Sequence, residues 1–145
     1  MQLDFWQLSR DPLERVVALV AARTRQAGER LLVVDADPAR RAGFGKAMWD
    51  SDPQAFLANG EASGPHAARQ PILLSDTCEA ANGARFCVLA DGDWRAEAGG
   101  FERVFLLFGE AGTPAARATW RAFDGREDVT RAYFAQEDGK WVKKA

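Results

Sequence analysis

Two Asp-Pro dipeptides, each following a short apolar run and each opening a stretch of helical periodicity, set the strongest constraint on the fold. Gln2 to Leu8 reads as a strand containing Leu3, Phe5 and Trp6. Asp11-Pro12 then offers a capping side chain and a proline suited to a first helical turn. Leu13, Val16, Val17 and Val20 follow at i, i+3, i+4 and i+7, the stripe of an amphipathic helix, with Arg15, Arg23 and Arg25 on its other face. Gly28 stands where a left-handed residue ends such a helix. Leu31 to Val34 is a continuous apolar quartet, as in a strand covered on both faces, and Asp37-Pro38 opens a second helix that ends near Trp49. Strand, helix, strand, helix is the order of a mainly parallel sheet with helices packed on it.

The remaining chain extends this pattern. Asp52-Pro53 suggests one short helical turn through Phe56, and residues 58–70 read as a loop without periodicity. Pro71 to Leu74, Phe86 to Ala90 and Val104 to Phe108 are further apolar strands, and Thr113-Pro114 starts a last helix. Val129 to Gln136 and Lys140 to Lys143 form a closing hairpin turned by Asp138-Gly139. The expectation is one α/β domain over residues 1–145, a three-layer α/β/α Rossmann-like fold whose mixed sheet is mainly parallel.

Residue counts narrow the chemistry. The 145 residues hold one histidine, His66, and two cysteines, Cys78 and Cys87, too few for a four-ligand Cys/His zinc site. Nineteen basic against 21 acidic residues give a net charge of −2, where a general nucleic-acid binder is normally markedly basic. No positive, apolar leader opens the sequence, and its longest apolar run, Val16 to Ala22, is seven residues long. A bilayer span needs about 20. A cytoplasmic protein with no membrane contact, no metal and no cofactor is expected.

Candidate catalytic motifs are incomplete. Gly43-Phe44-Gly45-Lys46 lacks both the earlier glycine and the following hydroxyl of a phosphate-binding loop: Arg40 and Ala47 stand there, inside a helical stretch. It reads instead as a helix with small residues at a packing contact. Asp35 and Asp37 lie at a strand end where open α/β sheets hold ligands, yet Ser9-Arg10-Asp11-Pro12 supplies no glycine-rich first turn. Asp37 is better read as a helix cap and Asp35 as a solvent-facing strand end. His66 lacks an ordered nucleophile near it in sequence and reads as a surface histidine; Cys87 reads as a small buried side chain. The alternative of a nucleotide-binding or hydrolytic enzyme on a Rossmann-like sheet finds little support. Single-stranded DNA binding by the tryptophans and the basic C-terminus is a third reading.

The C-terminal quarter is more informative. Residues 111–145 carry seven basic and five acidic residues on a chain that is otherwise net acidic. Arg117 and Arg121 share one face of the last helix, with Trp120 beside them. Guanidinium forks next to an aromatic ring suit a carboxylate-bearing peptide with an apolar end. A Trp120 turned into the core is the other reading of the same spacing.

Taken in order, Asp4-Phe5-Trp6-Gln7-Leu8 with Pro12-Leu13-Glu14, Ala47-Met48-Trp49, Asp52-Pro53 with Phe56-Leu57, and Ala68 through Leu74 form a distinctive series. Gly100-Phe101-Glu102-Arg103-Val104, Arg117 through Phe123, and Gly139-Lys140-Trp141 with Lys143-Lys144-Ala145 continue it. The series resembles the chi subunit family of bacterial DNA polymerase III, the small accessory proteins of the clamp loader. The resemblance implies a non-catalytic Rossmann-like adaptor that binds the acidic C-terminal tail of single-stranded-DNA-binding protein and links it to the clamp loader. It implies Arg117 as the carboxylate partner, Arg121 as electrostatic support, and Trp49 and Thr130 as pocket wall. It places a psi-subunit contact at Phe56, Leu107 and Phe108, and is compatible with recruitment of a repair helicase. The sequence departs from the family pattern at Thr113, where a basic residue is common, at Ala58-Asn59, where Pro-His is usual, and in the loop from Glu61 to His66.

Overall fold

A computed structural model describes residues 1–51 and 57–145. In chain order its elements are β1 (Gln2–Gln7), α1 (Leu13–Gln26), β2 (Leu31–Val34), α2 (Pro38–Ser51), β3 (Asn59–Glu61), β4 (Ile72–Ser75), β5 (Phe86–Leu89), β6 (Arg103–Phe108), α3 (Thr113–Ala122), β7 (Thr130–Glu137) and β8 (Lys140–Lys143). Short 3-10 turns occupy Ala67–Arg69, Ala96–Gly100 and Glu110–Gly112. The strands form one sheet in the order β3-β4-β2-β5-β6-β1-β7-β8, parallel throughout except for the β7–β8 hairpin. This is the expected three-layer α/β/α arrangement.

The apolar quartets form the centre because they are covered on both faces. Every residue of β2 and β4 is buried, and alternate side chains enter opposite cores. One core gathers Val16, Val17 and Val20 of α1 with Phe44 and Met48 of α2 against Leu31, Val33 and Leu107. The other gathers Leu3, Phe5, Leu32, Val34, Leu106 and Phe108 beneath Ala116 of α3 and Ala98. Thus α1 and α2 lie on one face and α3 on the other. Parallel connections are right-handed, so running to opposite edges of the sheet puts the helices on opposite faces.

Three local expectations need correction. Asp11 does not cap α1: Pro12 occupies the cap position without a side-chain bond. Gln136 instead ties down the turn before the helix from the far end of the chain, its Oε1 accepting the backbone N–H groups of Ser9, Arg10 and Asp11 at 3.4, 3.0 and 3.2 Å. Residues 58–70 are not wholly a loop, since Asn59–Glu61 adds an edge strand beside β4. Asp35 is fully buried, not solvent-facing. The helical turn expected from Asp52-Pro53 to Phe56 lies outside the described residues. By contrast, Asp37 caps α2 through Ala39 N–H at 2.9 Å, Gly28 is left-handed, and Asp138 and Gly139 both have positive φ, as a tight hairpin demands.

Candidate functional site on the last helix

The carboxyl ends of the strands, where a Rossmann-like sheet receives a nucleotide, are occupied by ion pairs. Arg40 Nε lies 3.1 and 2.9 Å from the two oxygens of Asp35, and Arg41 donates to the Asp35 carbonyl at 2.8 Å and to Glu61. Asp91 receives both Nη atoms of Arg95 and the N–H of Ala36. Burial pushes the Asp91 carboxyl up, but Arg95 and the Ala36 and Asp93 amides hold it below the usual carboxylate range. Gly45 lets α2 approach the sheet: a Cβ there would stand 2.9 Å from Asn59 Oδ1. Gly43 faces open space and has no such packing role. His66 is exposed before a 3-10 turn.

On the opposite face, α3 starts with Pro114 in its first turn and rests on the sheet through Ala116, which is fully buried. Trp120 resolves its two readings toward the core. Its ring meets Phe5 edge-on at 5.2 Å and Tyr133 at 6.1 Å, and the Arg131 guanidinium covers it at 4.6 Å. Arg131 also donates to the Trp120 carbonyl and, at 2.8 Å, to Asp124. A cation therefore sits on the C-terminal carbonyls of α3, where the helix dipole favours it. Phe5, Phe108, Trp120 and Tyr133 make an aromatic bed under the helix, and Tyr133 donates to Gln7 Oε1 at 2.7 Å.

With its apolar side fixed in this way, α3 presents Arg117 and Arg121 outward. Both are exposed, they lie one helical turn apart, and among the described residues neither pairs with a carboxylate. Arg117 lies near Tyr133: burial raises the phenol above its ordinary value while the Arg117 charge pulls it down. Two free guanidinium groups at this spacing match the carboxylates of an extended acidic peptide. Thr113, a departure from the family pattern, opens the helix with its Oγ1 buried and unpartnered.

The other residues implied by resemblance lie elsewhere. Trp49 is 57% exposed, but on α2 and hence across the sheet from Arg117. Thr130 is exposed at the start of β7; strand alternation turns it away from the face of Arg131 and Tyr133. Leu107 and Phe108 are buried in opposite cores, so their side chains are packing residues and not surface contacts. Phe56 lies outside the described residues. Sequence reasoning missed Arg131, whose role depends on β7 lying beside the end of α3, and no local pattern signals that.

No described helix is long and apolar enough to cross a membrane. The family described as DNA polymerase III chi subunit, HolC, has a model that matches residues 1–128. No curated protein matches the chain.

Proposed function

Because the chain belongs to the chi subunit family of DNA polymerase III, and so to an accessory role in replication, we propose that it is a non-catalytic adaptor. The outer face of α3 holds the acidic C-terminal tail of single-stranded-DNA-binding protein and links it to the clamp loader. The supporting observation is the pair Arg117 and Arg121, exposed and without carboxylate partners among the described residues. Arg117 takes a tail carboxylate bidentately, Arg121 strengthens the local positive field, and the aromatic bed keeps the helix rigid. Trp49 and Thr130 lie apart from this face and are left out of the tail site. A psi-type subunit or other clamp-loader component docks at a separate surface, for which the family resemblance implies Phe56; Leu107 and Phe108 serve as core residues and not as contacts.

The test is a fluorescence-anisotropy titration of a labelled tail peptide against the wild-type chain and Arg117→Ala. Loss of a charge-assisted contact at a binding hot spot is worth about 2 kcal/mol, roughly a 30-fold rise in Kd. Since Arg117 makes no ion pair among the described residues, the thermal midpoint should not change. An unchanged Kd overturns the assignment. The same titration with an oligonucleotide checks the rival reading, which requires tight DNA binding without the partner protein.

A further inference from the structure

The core beneath α3 is indented at the end of the sheet where the strands begin. Trp94, Phe101 and Phe123 wall a pocket of about 400 Å³ there, completed by Ala96, Gly99 and Val129. Phe101 and Phe123 are each only 8% exposed, and the Trp94 indole meets Phe123 edge-on at 5.1 Å, so the wall is apolar and firmly packed. A volume of this size takes a whole phenyl- or indole-bearing molecule.

The chain sets charge at the mouth of this pocket. Gly125, at φ 78°, turns the backbone just after α3, and the N–H of Arg126 donates to the Phe123 carbonyl at 3.1 Å. The Arg126 guanidinium then lies 5.6 Å from the centre of the Phe123 ring. Its Nε and Nη2 go to the two oxygens of Asp128, at 2.8 and 2.7 Å, while Nη1 has no partner among the described residues. The Met1 ammonium also borders the pocket and donates to the Asp128 carbonyl at 3.0 Å. Asp128 is the one carboxylate among the lining residues, and both its oxygens are engaged. The groups with hydrogens to spare are cationic, and Arg126 with Met1 against Asp128 leaves the mouth net positive.

We propose that this pocket binds a free aromatic carboxylic acid. The ring enters between Trp94, Phe101 and Phe123, where edge contacts of the kind Trp94 and Phe123 already make are favourable. The carboxylate accepts from Arg126 Nη1 and from the Met1 ammonium, both charge-assisted bonds. The site is separate from the outer face of α3 and stands whether or not that face holds a peptide.

The test is an NMR titration of the full chain with 3-phenylpropionate, read at the five indole N–H signals, with Trp94 assigned through Trp94→Phe. The Trp94 signal should shift saturably while those of Trp6 and Trp120 stay in place. The uncharged analogue 3-phenylpropan-1-ol should bind roughly tenfold more weakly, and so should the acid to Arg126→Gln, since each change removes a charged hydrogen bond. The acidic tail peptide should not displace the acid. A Trp94 signal that does not saturate overturns the proposal, as does an alcohol that binds as tightly as the acid or an unchanged affinity in Arg126→Gln. Displacement by the tail peptide overturns it too, by making the pocket part of the α3 site.

Discussion

Arg103 on β6 grips the fully buried carboxylate of Asp4 on the neighbouring β1, its Nε and Nη2 lying 3.0 and 2.7 Å from Oδ2. Gln2 adds a bond to Oδ1 at 3.2 Å, and the guanidinium lies over the Phe105 ring. A charge inside a sheet is tolerable only when paired, so the two strands are tied in register by chemistry as well as by backbone. Arg103→Met strands the carboxylate and is expected to cost about 3 kcal/mol in urea denaturation. The double variant Asp4→Asn/Arg103→Met should recover part of that loss. A single variant with the wild-type midpoint would show that the pair is incidental.

Gln136 on β7 anchors the turn between β1 and α1. Gln136→Ala leaves two or three amides of the β1–α1 turn without a protein acceptor; Ser9 and Arg10 lie at the surface, where water replaces part of the bond, so the expected loss is about 0.5–1.5 kcal/mol. Amide exchange at Arg10 and Asp11 should accelerate, while exchange in β4 should change far less.

Arg117 and Arg121 should differ in weight. On the adaptor reading, Arg121→Ala weakens tail binding less than Arg117→Ala does. Arg117→Lys should not restore full affinity, since an ammonium lacks the planar fork. Raising ionic strength should weaken the wild type more than the double alanine variant. Equal salt slopes would remove the electrostatic role.

Asp128 offers a pH measurement independent of any partner. Its carboxylate accepts Arg126 Nε and Nη2 at 2.8 and 2.7 Å, and this hydrogen-bonded pairing holds its pKa down at about 2. A depressed folded-state pKa contributes stability above the ordinary aspartate value of about 3.9, and that contribution fades as pH falls toward 2. An NMR titration of the Asp128 carboxyl should show the low midpoint, and Arg126→Ala should return it to the ordinary range. The group is fully exposed, so salt should shrink the difference.

Sheet and helices were legible wherever one local pattern decided them. Leu31 to Val34 reads as a doubly covered strand, and Val16, Val17 and Val20 read as the core-facing stripe of a helix, as the fold has them. What escaped depends on distant partners. Asn59–Glu61 has no apolar alternation, and it is a strand only because β4 offers a free edge and Arg41 reaches Glu61. Asp35 reads as a surface residue until Arg40 and the sheet close over it. In the candidate site, the spacing of Arg117 and Arg121 was plain. The direction of Trp120 was not, because β1 and β7 decide it from more than 100 residues and about 10 residues away.

The placement of β1 bears on how the chain is made. It pairs in parallel with β6 on one side and β7 on the other, so the earliest strand joins two that follow it by roughly 100 and 130 residues. On a ribosome, β1 emerges with an apolar face and two open edges long before either neighbour exists. Such long-range pairing is slow and leaves a nascent chain open to misassociation. Cooperative closure must wait for β7, and Gln136 can secure the first turn only after that. Nascent chains stalled with residues 1–128 outside the exit tunnel should therefore remain protease-sensitive, and chains released after β7 should be protected.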